Sequence, residues 1–84
     1  MFYVYFAKSL KNDKVYVGST SKDPNIRVKE HNLGSNVWSK HNGPFKLIYY
    51  ESFVCKNDSV ARESFYKTGI GRKIKVAICK TMDA

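Results

Sequence analysis

The sequence predicts a small α/β (α+β) fold with the element order β-β-α-β-α, and three observations carry that reading. Two β-branched and aromatic runs lie close together at the N-terminal end, Phe2–Lys8 and the stretch around Val15-Tyr16-Val17. Asp23-Pro24 has the chemistry of a helix start, and Gly34 that of a helix stop. Phe45 to Val54 alternates like a strand and is followed by a polar stretch rich in helix-capping residues. The chain has 84 residues, enough for one small domain with a thin core, and at 43% hydrophobic it is too apolar for a disordered segment.

Taken in order, Phe2–Lys8 (FYVYFAK) carries aromatic or apolar residues on both alternating faces, as a central strand does. A polar loop, Ser9 to Asp13, with turn residues Asn12-Asp13, joins it as a hairpin to a strand over Lys14–Ser19. A loop closed by pairing Lys8 with Asp13 would put Tyr5 opposite Tyr16. The turn residues Gly18 to Lys22 follow. A helix over Asp23–Leu33 is expected, with Asp23 as N-cap, Ile26 and Leu33 as its inward stripe, and Arg27 and His31 on one face at i and i+4. Gly34 to Pro44 reads as a loop containing Trp38, with a short helical turn around Asn36–Lys40. In the third strand Leu47, Tyr49 and Glu51 share one face, and Ile48, Tyr50 and Ser52 the other. Val60–Thr68 reads as a second helix with Val60, Ala61, Ser64, Phe65 and Thr68 inward, ended by Gly69-Ile70-Gly71. Arg72–Lys80 fits a strand or a helix, and the end of the chain is a frayed tail.

The formal net charge is +8 and the pI about 9.6, which favours a polyanionic partner, nucleic acid being the usual one. Lys8, Lys11, Lys14 and Lys22 gather around the hairpin, and Lys67, Arg72, Lys73 and Lys75 gather late. Such cations grip phosphates without reading bases. Cys55 and Cys79 have no zinc-ligand spacing with His31 or His41 and read as free thiols of an intracellular, soluble protein. The apolar N-terminus is too short for a signal peptide or a membrane span, so no membrane association is expected. A phenol, a guanidinium and an imidazole (Tyr16, Arg27, His31) in one strand-turn-helix unit suggest phosphate chemistry.

Tyr3-Val4-Tyr5, then Tyr16-Val17-Gly18, then Arg27 and His31 on the next helix, then Arg62-Glu63 on a later one, form an ordered set. The set resembles the GIY-YIG nuclease family, and most of all its small stand-alone members, related to the nuclease domain of the bacterial repair protein UvrC. Phe45–Glu51 is similar to the family's third strand. The likeness covers about residues 2–73 and leaves 74–84 as a basic C-terminal extension of one domain spanning 1–84. Two departures stand out: Tyr3 replaces the first Gly, and no Asn follows Asn57, where the family often has one downstream of the Glu.

The resemblance implies a three-stranded antiparallel sheet flanked by helices and hydrolysis of DNA, RNA being the less favoured substrate, by water with one Mg²⁺ or Mn²⁺. Glu63 would hold the metal alongside waters and phosphate oxygens. Arg27 would neutralise charge developing on the phosphate. Tyr5 or Tyr16, its hydroxyl acidified by a nearby cation, would orient or deprotonate the water; His31 would serve as that base instead, or hold a tyrosine in place. Gly18 would let the backbone approach the phosphate, and Lys14, Lys22, Lys67, Arg72 and Lys73 would track the nucleic-acid backbone. No base-reading module is visible, so specificity is expected from DNA shape, a protein partner or a homo-oligomer. The alternative reading is a nucleic-acid-binding module of the same fold that does not cut.

Overall fold

Apolar residues on both faces of a strand require cover on both faces, and the run at the N-terminus has it. In the computed structural model, which describes residues 1–34 and 41–82, this run is β1 (Phe2–Ser9), the middle strand of a three-stranded antiparallel sheet. β2 (Val15–Thr20) lies on one side of it and β3 (Phe45–Phe53) on the other. One face of the sheet packs on α1 (Pro24–Asn32), with Tyr5, Ala7, Val28 and Phe45 buried together. The other face packs on α2 (Lys56–Tyr66) and α3 (Gly69–Met82), where Val4, Phe6 and Tyr66 are buried beside Phe65 and Ile78. Each fully buried side chain of this size contributes about 1.5–3 kcal/mol, so the two clusters carry most of the fold's driving force. Among the described residues no helix is long and apolar enough to cross a membrane. The expected helical turn around Asn36–Lys40, with Trp38, lies outside the described residues, as do residues 83–84.

The hairpin register differs from expectation by two residues. Tyr5 pairs with Gly18, Ala7 with Tyr16 and Lys8 with Val15. The loop is wider because the buried Ser9 organises it. Its hydroxyl oxygen accepts from the backbone N–H groups of Lys11 and Asn12, and its own N–H reaches the Lys14 carbonyl at 2.8 Å. Asp13 takes the left-handed conformation, φ 61°, that closes the turn. A shift of two keeps every side chain on its face, so Tyr5 and Tyr16 still share one, as diagonal neighbours. The strand runs one residue further than expected, through Thr20.

α1 begins and ends as its sequence dictates. Asp23 Oδ1 accepts from the Asn25 N–H at 2.8 Å, Pro24 opens the helix, and Gly34 at φ 73° closes it. Its inward face is different: Ile26 and Leu33 are 53% and 86% exposed, and Pro24 and Val28 are buried instead. A clamp fixes this rotation. The Asn32 side chain donates to the Phe45 carbonyl at 2.9 Å and accepts from the Phe45 N–H at 2.6 Å, tying the end of α1 to the start of β3.

In β3 the pairing passes from Phe6–Tyr49 to Ala7–Leu47, so Ile48 is an extra residue in a β-bulge. The bulge splits the expected alternation. Leu47 joins the α1 face, whereas Ile48, Tyr49 and Phe53 pack under α2 and α3. α2 starts earlier than expected, after Cys55, and turns Ser59 and Tyr66 inward; of the expected inward set, Val60, Ala61, Ser64 and Thr68 are exposed. Thr68 then links two helices. Its hydroxyl donates to the Phe65 carbonyl at 2.6 Å and accepts from the Gly71 N–H at 3.1 Å, an N-cap for α3. The undecided tail is therefore helical. Gly71 is buried where a Cβ would collide with the Phe65 carbonyl, which lets the two helices meet closely. Cys55 is exposed and a free thiol, as read.

The rotation of α2 is explained by Glu51. Its carboxylate accepts from the Tyr66 hydroxyl at 2.6 Å, the Tyr49 hydroxyl at 2.7 Å and Arg62 Nε at 3.0 Å. The Arg62 guanidinium lies over the rings of Phe65 and Tyr66. Burial pushes the Glu51 carboxyl up, but the three donors outweigh it and hold it below its ordinary 4.5. Its folded value thus lies below its unfolded one, so its contribution is full above about pH 4.5 and fades as pH falls through the folded value. Thermal melts across pH 3–7 should show wild type losing stability on the acid side. Glu51→Gln should cost about 1.5–3 kcal/mol at neutral pH, the usual worth of hydrogen bonds to a charged group, and should flatten that acid decline.

Candidate active site

β2 is an edge strand, and a cleft of about 360 Å³ runs along it. Tyr5, Tyr16, Gly18 and His31 line the cleft from the sheet and α1, and Lys67, Arg72 and Lys75 line it from the end of α2 and from α3. Of the residues singled out from the sequence, seven therefore meet at one opening, Tyr5, Tyr16, Gly18, His31, Lys67, Arg72 and Lys75. Arg27 and Glu63 do not line it but stand one contact away. Lys14, Lys22 and Lys73 lie outside it, and all three are exposed.

The hairpin and α1 together place the Tyr5 hydroxyl 3.0 Å from His31 Nε2. The expected acidification of Tyr5 does not occur. Burial pushes its phenol above the ordinary value of 10.0; Arg27 pulls the other way and is outweighed. The phenol is thus protonated at neutral pH and donates to the imidazole. Burial, followed by the charge of Arg27, holds His31 below its ordinary 6.5, so the ring is neutral at pH 7 and accepts at Nε2. Gly18 serves this pair directly. A Cβ there would sit 2.5 Å from the Tyr5 hydroxyl oxygen, so the space over Gly18 is filled by the Tyr5 ring.

Arg27 Nη1 donates to Glu30 Oε1 at 3.3 Å, three residues along α1, and Lys22 Nζ donates to Glu30 Oε2 at 2.6 Å. Glu30 therefore joins the two cations on the outer side of α1. Glu63, on α2, accepts from the Ser19 hydroxyl at 2.6 Å and from Lys67 Nζ at 2.8 Å. Burial raises the Glu63 carboxyl, but the bonds from Lys67 and Ser19 prevail and keep it below its ordinary value, hence ionised. Tyr16 packs edge-on against Phe45, its hydroxyl 3.5 Å from Asn42 Oδ1. Lys75 reaches the Val15 carbonyl at 3.1 Å and covers part of the bare edge of β2.

Sequence reasoning missed Ser19, Asn42 and Tyr66 as residues of this region. Strand parity gave a signal for Ser19, because it alternates with Gly18 and so points to the α2 side. Asn42 and Tyr66 had none, since each arrives from a distant segment.

The family model of the GIY-YIG catalytic domain matches residues 1–75. The chain belongs to the GIY-YIG family. It is 37% identical over 68 residues to a UPF0213 protein of Clostridium perfringens, covering 80% of this chain and 71% of the relative. UPF0213 proteins of Staphylococcus epidermidis and Staphylococcus aureus are each 34% identical over 67 residues, covering 79% of both chains. No solved structure gives a significant match. The GIY-YIG domain points to a nuclease, a phosphodiester hydrolase with a nucleic-acid substrate, and such nucleases generally use a divalent metal. Its two signature segments are here the paired strands β1 and β2, and their register seats Tyr5 on Gly18.

The position of Arg27 makes a prediction about His31. A cation nearby disfavours the imidazolium, so Arg27→Gln should raise the His31 pKa toward its ordinary 6.5, with burial still holding it below that value. An NMR titration of the imidazole in wild type and variant reads the shift. An unchanged or lower value would contradict the electrostatic account.

Proposed function

We propose that this chain is a divalent-metal-dependent DNA endonuclease that hydrolyses phosphodiester bonds by water attack, acting as a single domain over 1–84. The observation that carries the reading is the Tyr5–His31 pair, a protonated phenol on a neutral imidazole, set in a cleft walled by Lys67, Arg72 and Lys75.

The donor set at Glu63 suits a hard cation that takes most of its ligands from elsewhere. Among the described residues no group of three His, Cys, Asp or Glu gathers to form a protein cage. Mg²⁺ commonly binds through one or two carboxylates, with water and phosphate oxygens completing the octahedron. Glu63 would hold it, with Ser19 orienting the carboxylate and Lys67 yielding its place on Oε2. When bound, Mg²⁺ or Mn²⁺ supplies positive charge to the scissile phosphate and the leaving oxygen.

The chain's own residues supply the rest. Tyr5 Oη takes a proton from the attacking water as it passes its own to Nε2 of His31, so the phenol need not be ionised beforehand. Tyr16, on the same face, orients the water, with Asn42 offering an amide near the centre in place of the missing downstream Asn. Arg27 neutralises charge on the non-bridging oxygens. Lys67 and Arg72, joined by Lys75, grip the flanking backbone, while Lys14, Lys22 and Lys73 add charge farther out.

One observation favours the alternative of a binding module: Glu30 is held on Arg27, and Lys67 on Glu63, so each key charge has an internal partner. A cleavage assay separates the two. Supercoiled, linear, single-stranded and branched DNA would be incubated with Mg²⁺, Mn²⁺ or chelator. The nuclease reading expects metal-dependent nicking that falls by about 100-fold or more in Glu63→Ala and Arg27→Ala, the scale lost with one transition-state contact. Activity persisting in both variants would mean the site is elsewhere. Salt-sensitive binding without any cutting by wild type would establish the binding module.

A further inference from the structure

Tyr3 occupies the place of the first glycine of the signature, and its ring has a partner. Tyr5 of β1 pairs directly with Tyr50 of β3, so Tyr3, Tyr5 and Tyr50 project from the same face of the sheet. The rings of Tyr3 and Tyr50 meet edge to face, centroids 6.0 Å apart at 73°. Tyr5 is buried under α1, which packs through Val28 near Ala7 and Phe45. Tyr50 lies beyond that cover and is 49% exposed. A half-exposed aromatic pair thus flanks the candidate centre on its β3 side, while the cationic cleft flanks it on its β2 side.

We propose that Tyr3 and Tyr50 form a stacking surface for one unpaired nucleobase of DNA next to the scissile phosphate, a proposal that rests on the nucleic-acid reading above. Aromatic rings on a sheet face stack bases, whose flat π surfaces they match without regard to sequence. The chain's net charge of +8 and the cations around the cleft favour a strand of phosphates over a neutral peptide or a second copy of this basic chain. A paired base stays stacked within its duplex and cannot lie on a ring at this position. The preferred substrate therefore carries an unpaired nucleotide at the cut: a single strand, a flap or a frayed junction. The edge-to-face contact with Tyr3 fixes the Tyr50 ring, and the base covers its exposed side.

The test is binding in chelator at low salt, with no cutting required. Full-length protein is titrated against a labelled single-stranded DNA and its duplex by fluorescence anisotropy, and against the same single strand carrying 2-aminopurine. Wild type should bind the single strand more tightly and quench the 2-aminopurine. Tyr50→Leu, which keeps an apolar contact for Tyr3, should weaken single-strand binding by about 5- to 100-fold, the range carried by one stacked base, and leave the duplex unchanged. Tyr50→Phe should behave as wild type. Absence of quenching by wild type overturns the proposal, as does Tyr50→Leu binding the single strand like wild type or losing both substrates alike. In those cases duplex binding by wild type leaves the nucleic-acid reading standing. If wild type binds neither DNA, that reading fails and the stacking surface with it.

Discussion

The burial of β1 on both faces is the constraint from which the rest of this structure follows. Val4 and Phe6 commit one face to the core beneath α2 and α3, and Tyr5 and Ala7 commit the other to α1. A short chain with a thin core cannot spare a central strand for structure alone. The same strand that divides the two clusters therefore carries Tyr5 to His31, and its pairing with β2 brings Gly18 beneath the Tyr5 ring. A Cβ at position 18 would meet that ring, so the glycine of the second signature segment is tied to the tyrosine of the first by packing.

The few acidic residues of this strongly basic chain are placed with equal economy. Glu51 joins β3 to α2 through Arg62, Tyr49 and Tyr66 and sets the rotation of that helix. That rotation turns Glu63 toward Ser19 on the edge strand. Glu30 gathers Lys22 and Arg27 along α1. Ion pairs as exposed as Lys22–Glu30 add little to stability, so their effect is to hold long cationic side chains in place. An arriving phosphate would meet cations already oriented, at the cost of displacing their carboxylate partners.

The electrostatics of the centre run against the simplest expectation. A cation beside a phenol should acidify it, and Arg27 does pull Tyr5 that way, but burial is the larger effect. The same burial keeps His31 neutral, so desolvation raises the phenol and lowers the imidazole and leaves a donor facing an acceptor. Proton transfer through such a pair needs no pre-formed phenolate.

The sequence by itself determined the types of the first five elements and the caps of α1. It also determined the identity of the family and the ordered set Tyr5, Tyr16, Gly18, Arg27, His31 and Glu63, because alternation, Asp-Pro starts, glycine stops and short motifs are local signals. Face-sharing along β1 and β2 was legible for the same reason, since a register shift of two preserves it. Only the tertiary structure decided the rest. The Asn32–Phe45 clamp rotated α1 away from Ile26 and Leu33, and the bulge at Ile48 separated Leu47 from Tyr49 and Glu51. Thr68 and the buried Gly71 turned an ambiguous tail into α3, which brought Arg72 and Lys75 to the cleft. Each of these depends on two segments distant in the chain meeting through specific hydrogen bonds or close backbone contact, and no periodicity within either segment encodes that meeting.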